Sequence, residues 1–204
     1  MGNKLNYIAM QSGPEAMAKL VGLSAVSAQF SELDRFGNWI LKLHGCDWTI
    51  LNFTGVDPPK PVAEAVKAAS ANYVIISYRA YDTVSFEELV YRSQGRLAWS
   101  VALAESKMHL KGDVPQEFHD FADKCASGMR LNRRTSEWVD DSRPRELSEK
   151  IFGKPDSYAY LAISTYAWHL TGYGVNRHYD DADVAAAYRF DLDKLASPGP
   201  KELL

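Results

Sequence analysis

Two β-prone segments joined by a short loop place the strongest constraint on how this chain can fold. Residues 38–44 and residues 48–53 each contain tryptophan, isoleucine and leucine, and Gly45-Cys46-Asp47 connects them. A loop of this length that contains glycine favours a β-hairpin. The second segment carries large apolar side chains on both of its alternating faces. Because such a strand needs cover on both sides, we expect it near the centre of a sheet.

Further strand-like segments lie on either side of this hairpin along the chain. They are residues 4–10, 73–79, 83–92 and 96–103. Ser93-Gln94-Gly95 separates the last two segments and suits a turn. Consecutive strands joined by short connections predict an antiparallel meander. Glu87 and Glu88 are poor strand formers, so we expect residues 83–92 to be bulged or partly helical.

Helical patterns dominate the rest of the chain. Apolar spacing, helix-starting prolines and terminating glycines predict helices over residues 15–21, 62–70, 115–129, 145–152 and 156–170. The last of these segments is apolar on nearly all sides, which is typical of a helix that is buried or covered by a partner.

These patterns predict the α+β class, with an antiparallel twisted sheet of about five to six strands, helices packed on it and a helical C-terminal half. We expect one α+β domain over residues 1–196, sheet-rich over 1–110 and helix-rich over 111–196. The Ser-Pro-Gly-Pro sequence that opens residues 197–204 predicts a flexible tail.

Charge and cysteine content narrow the function classes. The net charge is −3, with 26 acidic against 23 basic residues, which argues against a general nucleic-acid binder. Two cysteines, Cys46 and Cys125, imply reduced thiols rather than a disulfide framework or a zinc ribbon. The N-terminus lacks the apolar core of a signal peptide, and no segment approaches the roughly 18 apolar residues of a membrane span. We therefore expect a cytoplasmic protein that binds neither membranes nor nucleic acid.

One cluster that could carry chemistry is His44, Cys46 and Asp47, at the tip of the expected hairpin. A nucleophile or a metal could use these residue types, but each needs further groups from elsewhere in the fold. The simpler interpretation is a polar hairpin turn.

A second cluster is acidic and lies at residues 178–183, with His178, Asp180, Asp181 and Asp183. Carboxylates beside a histidine suit a hard or borderline cation, although the spacing fits no calcium loop. Alternatively, Asp180 or Asp181 caps a helix that begins near Ala182 and runs through Tyr188.

A small basic run, Arg130, Arg133 and Arg134 with Lys124 nearby, could bind phosphate or an acidic partner, or could be a solvated turn. No aromatic platform interleaves with it, which favours the turn. The sequence also contains no phosphate-binding loop, dinucleotide fingerprint, nucleophile elbow or His-Glu-x-x-His motif.

Residues 39–97 resemble immunity proteins of bacterial polymorphic, secreted or contact-delivered toxin systems. The segments that carry the resemblance are Trp39-Ile40-Leu41, Trp48-Thr49-Ile50-Leu51, Val74-Ile75-Ile76, Asp82-Thr83 and Gly95-Arg96-Leu97. The resemblance implies a cytoplasmic, non-enzymatic protein without a cofactor that binds and blocks one cognate toxin.

The leading hypothesis is therefore an immunity-type inhibitor that occludes the active site of a basic toxin with acidic and aromatic residues. Its candidate contacts are Asp140, Asp141, Tyr173, Tyr179, Asp180, Asp181 and Asp183. One alternative is a small hydrolase that uses His44 or His178 as a base beside a carboxylate. Another is a subunit of a larger assembly, with the helix of residues 156–170 at the interface.

Overall fold

The computed structural model describes residues 4–20, 22, 26–29, 37–81, 86–105, 107–132, 135, 137–140, 159–174 and 179–190. Their strands are β1 (Lys4–Met10), β2 (Val26–Ser27), β3 (Trp39–Leu43), β4 (Thr49–Thr54), β5 (Ile75–Tyr81), β6 (Phe86–Ser93), β7 (Arg96–Ala104), β8 (Lys107–Gly112), β9 (Met129–Asn132), β10 (Glu137–Asp140) and β11 (Val184–Arg189). Their helices are α1 (Pro14–Leu20), α2 (Lys60–Ala69), α3 (Gln116–Ala126) and α4 (Ala159–Thr171).

Nine of these strands form one antiparallel sheet in the order β2-β11-β3-β4-β1-β5-β6-β7-β8, and β9 pairs with β10 separately. The predicted hairpin is present as β3 and β4, with Leu41 opposite Ile50. Strand β1 pairs with β4 on one side and with β5 on the other. Strands β5 to β8 then follow one another as a meander. Strand β1, which is distant in sequence from β4 and β5, thus joins the β3–β4 hairpin to the β5–β8 meander.

The predicted sheet of about five to six strands with a helical C-terminal half is wrong. The described residues form a larger antiparallel sheet with four short helices, two of which, α1 and α2, lie in the N-terminal half. Strands β9 to β11 all lie in residues 111–196, the part expected to be helix-rich. The helix expected from Ala182 to Tyr188 is instead β11, because pairing with β3 outweighs the helical preference of its alanines.

The sheet has two faces, and each belongs to a different apolar cluster. On one face, residues of α1 and α2 such as Met17 and Val66 pack with Ile8 and Phe53. On the other face, residues of α3 and α4 such as Phe118 and Tyr166 pack with Trp99. The central strands are therefore covered on both sides, as the two apolar faces of residues 48–53 require.

An aromatic cluster fastens the chain after α4 onto the middle of the sheet. The ring of Tyr173 meets those of Tyr7 and Trp39 edge-on, at centroid distances of 5.1 Å and 5.7 Å. Tyr7 also stacks on Tyr78 of the neighbouring strand at 5.2 Å. Edge-on and stacked pairs of this kind stabilise a core beyond the area they bury. The cluster thus ties β1, β3 and β5 to the C-terminal part of the chain.

Among the described residues, helices cover the outer strands β6 to β8 on one face only. On the α3/α4 side, Leu89 of β6 and Val101 of β7 are buried, whereas Leu110 of β8 is exposed. The core cluster beneath α1 and α2, in contrast, contains no described residue of β6, β7 or β8. Half of the sheet therefore has three layers, and the other half has two.

Gly112, where β8 leaves the sheet, provides a test of this strand arrangement. Its φ is +76°, and an added Cβ would overlap the carbonyl oxygen of Ala98 and lie 3.0 Å from the Cα of Trp99. Gly45 has a similar φ of +67° but has open space around it. We expect Gly45→Ala to cost about 1–2 kcal/mol for the positive φ alone. We expect Gly112→Ala to cost about 1–3 kcal/mol more, because the backbone must shift.

Chemical denaturation of both variants measures the difference in the free energy of unfolding. Equal losses in the two variants would contradict the close approach of β8 to β7 at this point.

Candidate functional site

The side of the outer strands that α2 leaves uncovered forms a continuous surface, which we call the open face. Side chains directly opposite one another in an antiparallel sheet point to the same side. One row runs from Glu88 through Ala102 to His109, and the next runs from Val90 through Ser100 to Lys111. The residues of the open face are Glu88, Val90, Arg92, Ser100, Ala102, Ala104, Lys107, His109 and Lys111.

Strand β7 forms the floor of the open face with small side chains. Ser100, Ala102 and Ala104 lie on this side and are half-buried, whereas the alternating residues Trp99 and Leu103 are buried on the other side. Small residues between the longer side chains of β6 and β8 leave a shallow trough along β7. A partner could therefore approach the sheet closely along this strand.

Next to the open face, a groove of about 380 Å³ lies between α2 and strands β5 and β6. Its charged lining residues are Asp57, Lys60, Glu64, Lys67, Arg79, Glu88 and Arg92. Arg79 Nε donates a hydrogen bond to Glu88 Oε2 at 2.9 Å across β5 and β6. This ion pair has no net charge at the centre of the groove. The net positive charge of the groove therefore comes from Lys67 and Arg92.

At one end of the groove, Asp57 holds a small polar cluster together. It accepts a hydrogen bond from the Tyr81 hydroxyl, and Lys4 Nζ donates to it at 3.0 Å. The hydrogen bond from Tyr81 lowers the pKa of Asp57. Partial burial raises this pKa, and Lys4 lowers it further. Burial, followed by the bond to Asp57, raises the pKa of Tyr81. Asp57 therefore remains ionised at neutral pH and compensates Lys4.

Several cations of this surface have no such compensation. The side chains of four of them make no ion pair or hydrogen bond with any residue in the described ranges; these are Lys67, Arg92, Lys107 and Lys111. The groove and the open face together carry six basic side chains against three acidic ones. Because the whole chain has a net charge of −3, this surface has the opposite sign to the rest of the molecule.

The acidic residues predicted as partner contacts lie elsewhere. Asp180 and Asp181 are exposed in the turn before β11, and Asp140 is exposed at the end of β10 in the two-stranded sheet. Asp141 lies outside the described residues. Asp180 Oδ1 accepts hydrogen bonds from the backbone N–H groups of Ala182 and Asp183, at 2.9 Å and 3.2 Å. Asp183 accepts one from the Asp180 N–H at 3.2 Å. The side chains of this pair thus hold the turn.

The two tyrosines predicted as partner contacts also have structural roles. Tyr173 is only 4% exposed and belongs to the aromatic cluster. Tyr179 is half-buried and stacks on Tyr173 at 5.7 Å. Its hydroxyl accepts a hydrogen bond from the Gly174 N–H at 2.8 Å and donates one to the Gly172 carbonyl at 3.2 Å. Tyr173 therefore offers a partner almost no side-chain surface in this conformation.

The residues proposed for catalysis do not assemble in the described part of the chain. His44 and Asp47 are exposed in the β3–β4 loop, and His178 lies outside the described residues. Cys46 Sγ lies 3.0 Å from the carbonyl oxygen of Thr171, so the thiol joins the hairpin tip to the end of α4. Burial raises the pKa of Cys125 to about 11, which keeps that thiol protonated and unreactive at neutral pH.

A different histidine, His169 on α4, meets a carboxylate. Its Nε2 lies 3.1 Å from Glu117 Oε1 on α3, and the Tyr166 hydroxyl donates to Glu117 Oε2 at 3.1 Å. Burial and the Glu117 hydrogen bond raise the pKa of Tyr166. His169 and Glu117 are 41% and 51% exposed, and Phe121 packs beside the histidine. This cluster joins two helices at the surface, where such pairs contribute little stability.

The basic run singled out in the sequence lies outside the open face. Arg130 is exposed on β9, and Arg133 and Arg134 are outside the described residues. Lys124 lies over the ring of Trp138 at 5.0 Å. The cations of β8 were missed because residues 107–112 were not recognised as a strand. The period-two alternation Lys-Met-His-Leu-Lys was the signal that could have found them.

No family model, no curated protein and no solved structure matches this chain. Within the described ranges, none of the helices has the length and apolarity needed to span a membrane. Nor do the described residues bring together three or more His, Cys, Asp or Glu side chains that could hold a metal ion.

The role of Asp180 in its turn leads to a stability prediction. Asp180→Ala removes the side-chain acceptor of the Ala182 N–H and leaves the Asp183 N–H with only the Asp180 carbonyl, at 3.1 Å. We expect a cost of about 1 kcal/mol in the free energy of unfolding. Asp47→Ala is the control, because Asp47 is an exposed loop residue that makes no ion pair or side-chain hydrogen bond with any described residue. We expect this change to alter the free energy of unfolding by less than about 0.5 kcal/mol. Urea denaturation compares the two free energies of unfolding. Equal effects would show that Asp180 does not hold the turn.

Proposed function

We propose that this chain is a non-enzymatic binding protein whose open face receives an acidic protein partner. The observation that carries the proposal is the set of uncompensated cations on a surface that no helix of the described chain covers. Cations without a counter-charge attract acidic groups, which steers association and selects against basic partners. The small residues of β7 let a partner approach the sheet between two charged rows.

A protein partner fits this surface better than a nucleic acid does. Proteins that bind single strands supply exposed aromatic rings on which bases stack. Phe86 lies on the same side of the sheet as the open face. Its ring stacks on that of Tyr81 at a centroid distance of 5.3 Å, and the Arg79 guanidinium lies over it at 5.8 Å, so the ring is not available to stack on a base. The negative net charge of the chain also disfavours a polyanion as large as a nucleic acid.

The resemblance to toxin immunity proteins extends the proposal to a cognate bacterial toxin as the partner and to the cytoplasm as the location. The two cysteines, both unpaired, are compatible with a reducing compartment. The acidic residues Asp140, Asp141, Asp180, Asp181 and Asp183 remain proposed contacts for a basic region of the same partner. A one-to-one complex with the product of the neighbouring gene would support this extension, and its absence from a co-expressed mixture would count against it.

Charge reversal on β8 tests the open face directly. We expect Lys107→Glu and Lys111→Glu each to weaken binding of a fluorescein-labelled oligoglutamate peptide by about threefold, because each removes one attraction and adds one repulsion. Lys19→Glu makes the same charge change at an exposed position of α1, away from the open face, and should leave the affinity unchanged. Fluorescence anisotropy at low and high salt measures the dissociation constants, and added salt should weaken binding.

Two outcomes would contradict the proposal. One is an equal effect of all three substitutions, which would show that only net charge matters. The other is tighter binding of a single-stranded oligonucleotide of matched charge than of the peptide.

A further inference from the structure

Strand β8 ends the sheet with an edge that no described strand occupies. It is the last strand in the sheet order and pairs only with β7. Five of its six residues are exposed, and Leu110 is one of two large apolar residues exposed among those described, at 48%. An edge of this length presents a row of backbone donors and acceptors to which another extended chain can pair.

The backbone direction along this edge follows from one hydrogen bond. The Asp113 N–H donates to the Ala98 carbonyl of β7 at 3.3 Å. Bonded and non-bonded positions alternate along an antiparallel pair. Lys107, His109 and Lys111 therefore direct their backbone groups toward β7, whereas Met108 and Leu110 direct theirs away from the sheet. The outer edge thus offers the N–H and C=O groups of Met108 and Leu110.

Side chains along the same strand define what could pair there. Lys107, His109 and Lys111 point to the open face, and Met108 and Leu110 point to the other side. A strand added to β8 would place its own alternate side chains opposite these two rows. The matching sequence alternates acidic residues, opposite the basic row, with apolar residues opposite Met108 and Leu110.

A second copy of the chain is a poor occupant of this edge. If Met108 of one copy paired with Leu110 of the other, Lys107 would face Lys111, and His109 would face the same residue of the other copy. Like charges directly opposite one another destabilise a strand pair. Edge lysines of this kind prevent self-association, and the same lysines attract an acidic strand.

We propose that the acidic partner binds by adding an extended segment to the outer edge of β8, with acidic and apolar residues in alternation. This inference rests on the proposed function, since it specifies how the partner of the open face is held. Main-chain hydrogen bonds then supply affinity, and the two side-chain rows supply specificity.

Leu110→Pro tests the pairing, with Leu110→Ala as the matched control. The Leu110 N–H points away from the sheet, so proline there removes a donor to the added strand and no bond within the sheet. The probe is a labelled Glu-Val-Glu-Val-Glu peptide with Gly-Ser ends, and a scrambled peptide of the same composition serves as reference. We expect Leu110→Pro to weaken binding about tenfold or more, Leu110→Ala to weaken it about threefold or less, and the scrambled peptide to bind weakly to both.

Equal binding by Leu110→Pro and Leu110→Ala would overturn the strand-addition inference, whereas the proposed function would stand as long as Lys107→Glu still weakened binding. Loss of the Lys107→Glu effect would instead remove the proposed function. Circular dichroism first establishes that Leu110→Pro is folded.

A second measurement uses the unsubstituted protein. Saturation with the peptide should slow hydrogen exchange of the Met108 and Leu110 amides with solvent. Unchanged exchange would also overturn the inference, whatever the proline variant does.

Discussion

The need to bury both faces of the central strands governs this fold. Strand β4 carries Ile50 toward α3 and α4 and carries Leu51 and Phe53 toward α1 and α2, and all three are fully buried. One layer of helices cannot cover both faces, so helices lie on each side. The aromatic contacts of Tyr173 with Tyr7 and Trp39 complete one of these covers and bring the C-terminal part of the chain back to the middle of the sheet.

The same constraint explains why the helices of the described chain leave part of the sheet uncovered. The short helices α1 and α2 pack on residues of the central strands, and their apolar cluster stops at Ile75 of β5. On strands β6 to β8, the residues on the α1/α2 side of the sheet are mostly small or charged, as Ser100, Lys107 and Lys111 illustrate. A surface that is polar and basic needs no helix to cover it, and its charge suits the acidic partner that we propose. The binding proposal therefore follows from where the two-sided core ends.

Sequence patterns predicted local elements better than their assembly. The β3–β4 hairpin, α2 and α3 were found because periodicity and turn residues signal them locally. The position of β1 between β4 and β5 depends on pairing between distant segments, and no local signal encodes it. The sequence predicts a helix at β11 because alanine has a high intrinsic helix preference. The charge of the acidic turn predicted a partner contact, although Asp180 and Asp183 accept hydrogen bonds from backbone N–H groups of the turn. The basic strand β8 was missed.

The most direct test of the half-open sheet is amide hydrogen exchange of the protein alone, measured residue by residue by NMR. We expect slow exchange throughout β1, which is paired on both sides, and alternation along β8. In β8 the amides of His109 and Lys111 should exchange slowly, and those of Met108 and Leu110 should exchange quickly. Met108 and Leu110 amides as slow as those of β1 would show that another segment already occupies the edge. Uniformly fast exchange along β8 would show that this strand does not belong to the sheet.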